Sequence, residues 1–145
     1  MAIPEKYTVW VVDKKAANFE MVQNSIPDRS WVNLRHIPSG EEFLEACSNC
    51  ASDPDKLPHV VLIDFFLESM FGNDVLEKFN EIFEMAPPEN KPYVIAFSSM
   101  DNANEALVAQ GAPWSILKVK ESEKLLELEE LFASKEKLAG HLGHS

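Results

Sequence analysis

Five short apolar runs are spaced along the chain, separated by polar and amphipathic stretches. The runs are YTVWVV (Tyr7–Val12), WVNLRHI (Trp31–Ile37), HVVLI (His59–Ile63), YVIAF (Tyr93–Phe97) and WSILKV (Trp114–Val119). Three of them are close to continuously apolar, the pattern of parallel strands covered on both faces. The stretches between them carry helical periodicity. Phe19, Val22 and Ile26 share one face, as do Phe43, Leu44 and Cys47. Val75, Leu76, Phe79, Ile82 and Phe83 stripe a third helix, and Ala106, Leu107 and Gln110 mark a fourth. Leu125, Leu126, Leu128 and Leu131 mark a fifth. Ser39, Asn73, Asp101 or Asn102, and Ser122 are the expected N-caps, because short polar side chains accept from the free amides of a first turn. Pro27-Asp28, Pro54-Asp55, Pro87-Pro88 and Gly111 punctuate the exits.

The alternation βαβαβαβαβα predicts an α/β fold, with a five-stranded parallel doubly wound sheet and right-handed crossovers. Residues 1–138 read as one domain and 139–145 as a short C-terminal tail. His141 and His144 fall in that tail, which is expected to be poorly ordered, and no role is assigned to them. Ligands of such sheets sit beyond the carboxyl ends of the strands, where the strand order switches. Asp13 follows the first run, Asp64 the third and Ser98 the fourth, while Lys118 lies in the fifth. A pair of carboxylates can hold Mg²⁺, and a carboxylate can act as a nucleophile toward phosphorus. A hydroxyl and an ammonium nearby would stabilise charge on phosphoryl oxygens.

Composition narrows the options. The chain has 145 residues, 46% of them apolar, which suits a single packed core and excludes a disordered polypeptide. No apolar run approaches the length of a membrane span, and the first residues lack the layout of a signal peptide. A cytoplasmic protein that binds no membrane is therefore expected. The net charge of −11 argues against a nucleic-acid face. Cys47 and Cys50 form a C-x-x-C pair that closes a helical stretch instead of opening one, so a core role for Cys47 is favoured over redox chemistry. A flavin protein of similar architecture would need a phosphate-binding glycine loop, and none is evident.

Taken together, the segments resemble the receiver domains of two-component response regulators, the CheY-like family. WVVD resembles the family's acidic first-strand end, and SGEEFLEA its second helix. VLIDFFLESMFGNDVLEKF is similar to the phosphoacceptor strand, loop and third helix. YVIAFSS resembles the fourth strand, and GAPWSILK the turn leading to the essential lysine. The resemblance covers about residues 7–133. It implies that Asp64 accepts the phosphoryl group, Lys118 binds its oxygens and Ser98 donates a hydroxyl. It further implies Mg²⁺ held by Asp13, Asp64 and the carbonyl of Phe66. The implied partners are a histidine kinase or histidine phosphotransfer protein and a separate downstream protein, with a homodimer as another route for the signal. A bacterial signalling protein, not an enzyme in its own right, is implied, with no output domain expected after the fifth helix.

Departures from the pattern fall at named positions. Lys14 stands where the family carries a second metal-binding acid. An ammonium roughly 6 Å from a divalent ion costs up to about 5 kcal/mol at an effective dielectric near 20, so a weakened Mg²⁺ site is expected. Lys14 either pairs with Asp64 directly, holding the domain as a phosphorylation-independent interaction module, or points to water. Ser115 occupies the switch-aromatic position with Trp114 beside it, and Val119 follows the lysine where proline is usual. The connection after Ser98 reads as short. Phe66 and Met100 fall at two positions flanking the approach of water to the phosphoryl group, so slow hydrolysis is expected.

Overall fold

The computed structural model of the chain describes residues 2–118 and 123–145. Its strands are β1 (Tyr7–Val12), β2 (Val32–Ile37), β3 (Val60–Ile63), β4 (Tyr93–Ser98) and β5 (Trp114–Leu117). They pair in parallel in the order β2-β1-β3-β4-β5. The helices are α1 (Ala16–Asn24), α2 (Gly40–Cys50), α3 (Gly72–Ile82), α4 (Asp101–Ala109), α5 (Glu123–Leu131) and α6 (Lys135–Leu142). This is the expected doubly wound α/β sheet. The three central strands, β1, β3 and β4, come from the three nearly continuous apolar runs. β2, at one edge, alternates between buried and exposed positions because only one of its faces is fully covered.

Alternate strand residues feed two separate cores. Tyr7, Val9, Val11, Leu62, Ile95 and Phe97 face α1, α5 and α6, joining Val22, Leu128 and Leu138. Trp10, Val12, Val61, Ile63 and Ala96 face α2, α3 and α4, joining Phe43, Phe79 and Leu107. Each large side chain buried in this way contributes about 1.5–3 kcal/mol of transfer free energy. The predicted stripes hold on α2 and α3. On α5, however, Leu126 is exposed while Leu128 and Leu131 are buried. Cys47 is a buried free thiol whose pKa burial pushes up to about 12, which makes it inert core.

The helix starts correct part of the sequence reading. Ser39 caps α2 as expected, its hydroxyl accepting from Glu42 N–H at 3.2 Å. Asn73 is not a cap: α3 begins at Gly72 with Phe71 in the N-cap position. The cause is the loop before it, which folds back so that Gly72 N–H donates to the Phe65 carbonyl at 2.7 Å. A Cβ at residue 72 would come within 2.4 Å of the Asp64 carbonyl oxygen, so glycine is what lets the loop close. Likewise Asp101 opens α4 from within, and Met100 holds its N-cap position. Ser122 and Val119 lie outside the described residues.

The expectation of a poorly ordered tail for His141 and His144 is corrected. α6 runs through Leu142, crossing the position where the domain was expected to end. Ser134 caps it by accepting from Lys137 N–H at 3.1 Å, and Gly143 ends it in the left-handed region at φ 74°. Leu138 and Ala139 are buried in the first core. Tyr7 Oη lies 2.7 Å from His144 Nδ1, and Tyr93 Oη lies 3.0 Å from His141 Nε2. The helical signal was short and polar, and its anchoring partners lie far away in sequence.

Candidate functional site

β1 and β3 are neighbours across the switch in strand order, so the residues that follow them emerge side by side. Asp13 continues β1, its N–H donating to the Ile37 carbonyl; Asp64 continues β3, its N–H donating to Val12. β5 lies two strands further over. Lys118 keeps the sheet register by donating its N–H to the Ser98 carbonyl at 2.8 Å. Its side chain then crosses the end of β4, with Nζ 5.5 Å from the centre of the Phe97 ring. The ammonium arrives 2.6 Å from Asp13 Oδ2 and 3.3 Å from Asp64 Oδ2. All three side chains are more than nine-tenths buried, so this is a desolvated charge cluster.

Asp13 is fully engaged. Oδ1 accepts from Lys15 N–H at 2.9 Å, the Asn18 amide reaches both oxygens at 3.0 Å, and Oδ2 also takes the Lys118 contact. An ionised carboxylate offers about four acceptor positions, and these contacts fill them. Asp64 is less committed: Oδ1 accepts from its neighbour Phe65 N–H at 2.8 Å, and Oδ2 faces Lys118. Burial pushes its carboxyl pKa up, with Lys118 opposing and Asp13 reinforcing the shift.

In front of Asp64 opens a cleft of about 360 Å³ lined by Lys14, Lys15, Asn18, Phe66, Ser99 and Lys118. Ser98 stands behind this wall, fully buried, and its hydroxyl accepts a long bond from Met100 N–H at 3.4 Å. Lys14 is exposed at the cleft, and the direct pairing with Asp64 is corrected: among the described residues, the ion pair of Asp64 is with Lys118. Phe66 and Phe71 are more than a third exposed; Phe71 stacks on Phe65 and Phe66 meets it edge-on, making an aromatic rim beside the acid. Met100 is half-exposed at the N-cap of α4, the second of only two residues that connect Ser98 to the helix.

No protein-family model matches the sequence, and no curated protein sequence matches it. Solved structures do. The phosphorylated cyanobacterial phytochrome response regulator RcpA matches with a TM-score of 0.69 at 16% identity, over 89% of this chain and 95% of that one. The response regulator domain of Thermotoga maritima CheB matches at 0.66 and 20%, over 97% and 98%. CheY from Borrelia burgdorferi, solved in a CheX–CheY–BeF₃–Mg complex, matches at 0.64 and 18%, over 84% and 85%. The chain has the receiver fold.

Receiver folds imply a divalent cation, and the donor set can be tested against that. Of the three expected ligands, Asp64 and Phe66 border the cleft, whereas Asp13 lies behind Lys118 with its lone pairs filled. The residue after Asp13 is a lysine. Among the described residues no group of three or more His, Cys, Asp or Glu side chains comes together. These residues do not fit a divalent cation, whose preferred site is a set of free hard oxygens.

Trp114 and Ser115 start β5, paired with Ile95 and Ala96; Ser115 therefore lies level with Ile63, the residue before Asp64, one strand removed across β4. Trp114 packs edge-on against His141 of α6 at 4.9 Å. Two residues that sequence reasoning missed hold this site together. Asn18 clamps Asp13. Asn104, buried on α4, accepts from Ser98 N–H at 2.9 Å and donates to the Ser98 and Ile116 carbonyls, tying β4 to β5. Its signal was available: Asn104 shares the apolar helix face of Ala103 and Leu107.

Proposed function

We propose that this chain is a response-regulator receiver module of two-component signalling, and that Asp64 is its phosphoacceptor. The observation carrying this reading is the seating of Lys118 between Asp13 and Asp64 at the switch point of the sheet. A histidine kinase or histidine phosphotransfer protein would present a phosphohistidine to the cleft. An Asp64 oxygen attacks phosphorus and forms the acyl-phosphate bond, while the P–N bond breaks and its electron pair returns to the imidazole. Lys118 stabilises charge on the phosphoryl oxygens from a fixed, dry position. Ser98 donates its hydroxyl to them once the phosphoryl group enters. The aromatic rim of Phe66 and Phe71, with Met100, limits the approach of water, so the adduct is long-lived. The signal passes by contact to a separate protein.

The test is incubation with acetyl phosphate followed by intact and peptide mass spectrometry. One phosphoryl group at Asp64, absent from Asp64→Asn, supports the reading; an unmodified Asp64 sinks it. A second reading, an interaction module without phosphoryl chemistry, is favoured by the Lys118 ammonium that already pairs with both carboxylates. It predicts partner binding unchanged in Asp64→Asn.

A further inference from the structure

The cleft at Asp64 carries an unusual charge balance for a site that receives a phosphoryl group. Three lysines line it, Lys14, Lys15 and Lys118, against the carboxylates of Asp64 and the buried Asp13. The sum is one positive charge. Converting the Asp64 carboxylate to an acyl phosphate adds about one negative charge at neutral pH, which leaves the phosphorylated cluster close to neutral. A divalent ion placed there would find no net negative charge to compensate, and it would meet the like charges of the three lysines.

Resting on the assignment of Asp64 as phosphoacceptor, we infer that phosphoryl acceptance at this site needs no divalent cation, because Lys14 and Lys118 supply its charge. Two further observations carry this. The Lys118 ammonium already sits against Asp13 Oδ2, and both oxygens of Asp13 are bonded to this chain's own donors. Lys14, exposed and not paired with Asp64, lines the same cleft that the phosphoryl oxygens of an adduct would enter. The division of labour is then clear. Lys118 fixes the inner oxygens from below, and Lys14 closes on the outer ones when the group arrives. With acetyl phosphate as donor, the new bond runs from Asp64 Oδ to phosphorus; the bond from phosphorus to the acetyl oxygen breaks, and acetate leaves with the electron pair. No proton need move.

The experiment compares Asp64 occupancy by mass spectrometry after acetyl phosphate treatment in excess EDTA and in Mg²⁺. The native protein is expected to reach the same occupancy in both. Lys14→Met should lose about a hundredfold in rate in both conditions, and Lys14→Asp should accept only with Mg²⁺. Modification of the native protein only with Mg²⁺ would overturn the inference while leaving Asp64 as phosphoacceptor. Absence of modification in either condition would overturn both. Mn²⁺ titration followed by NMR gives a second readout independent of turnover. The Phe65 amide should keep its line width in the native protein and broaden in Lys14→Asp; broadening in the native protein contradicts the inference.

Discussion

At the carboxyl edge of the sheet, one ammonium holds two carboxylates, the farther of which lies 105 residues before it in sequence. At the amino edge, the joins are aromatic and neutral. Tyr7 stacks on His144 at 5.7 Å and meets His59 edge-on, while Tyr93 packs edge-on against His141. The contrast teaches where the molecule spends stability and where it gains it. Neutral hydrogen bonds and ring contacts cost little desolvation, so the amino edge is a closure for α6. Buried charges cost several kcal/mol each, and a cluster of them is weak evidence for a structural purpose. The carboxyl edge is therefore where chemistry is expected.

The largest effect should come from Lys118→Ala, which strands two buried carboxylates. A loss of about 3–5 kcal/mol in urea unfolding is expected, largely recovered when Asp13→Asn and Asp64→Asn are added. If the loss matches that of an amino-edge variant, the two edges do not differ as described. Gly72→Ala drives a methyl into the Asp64 carbonyl and should cost about 1–3 kcal/mol by the same measurement. Tyr7→Phe removes only the bond to His144 and should cost about 1 kcal/mol.

The two edges should also part company with pH. Burial lowers the pKa of His59, with His144 adding to the shift, and burial likewise lowers that of His141 and His144. The unfolded chain then binds more protons than the folded one below the ordinary histidine value of about 6.5. Their contribution is complete above that value and is lost as pH falls toward the lowered ones. Melting temperature should drop between pH 7 and pH 5, and less so in a His59→Gln, His144→Gln variant. Asp64 runs the other way. Its raised pKa means that its contribution is present at low pH and lost as pH rises through the folded value. At neutral pH its charge opposes folding, and Asp64→Asn should raise the melting temperature by a small amount. A fall instead would mean that the ion pair with Lys118 outweighs the desolvation of the carboxylate.

Much of this could be read in the sequence because buried parallel strands write themselves as unbroken apolar runs. The run Tyr7–Val12 coincides with β1, and the end of each central run located Asp13, Asp64 and Ser98. Register then brought Lys118 to them, since parallel strands align their carboxyl ends. What could not be read depends on side-chain direction and on distant partners. The orientation of Lys14 was open between pairing and water, and it was settled by which ammonium reaches Asp64. Asn18 and Asn104 act through bonds to Asp13 and Ser98 that no periodicity announces. α6 is short and polar, and what holds it are tyrosines from β1 and β4.

The most direct test is a beryllofluoride titration of the native protein followed by two-dimensional NMR. Perturbations are predicted at the amides of Phe65, Ser98, Met100 and Lys118, with Tyr7 and His144 unmoved. No perturbation, or one centred on the tyrosine–histidine edge, would contradict the assignment of Asp64 as the phosphoacceptor.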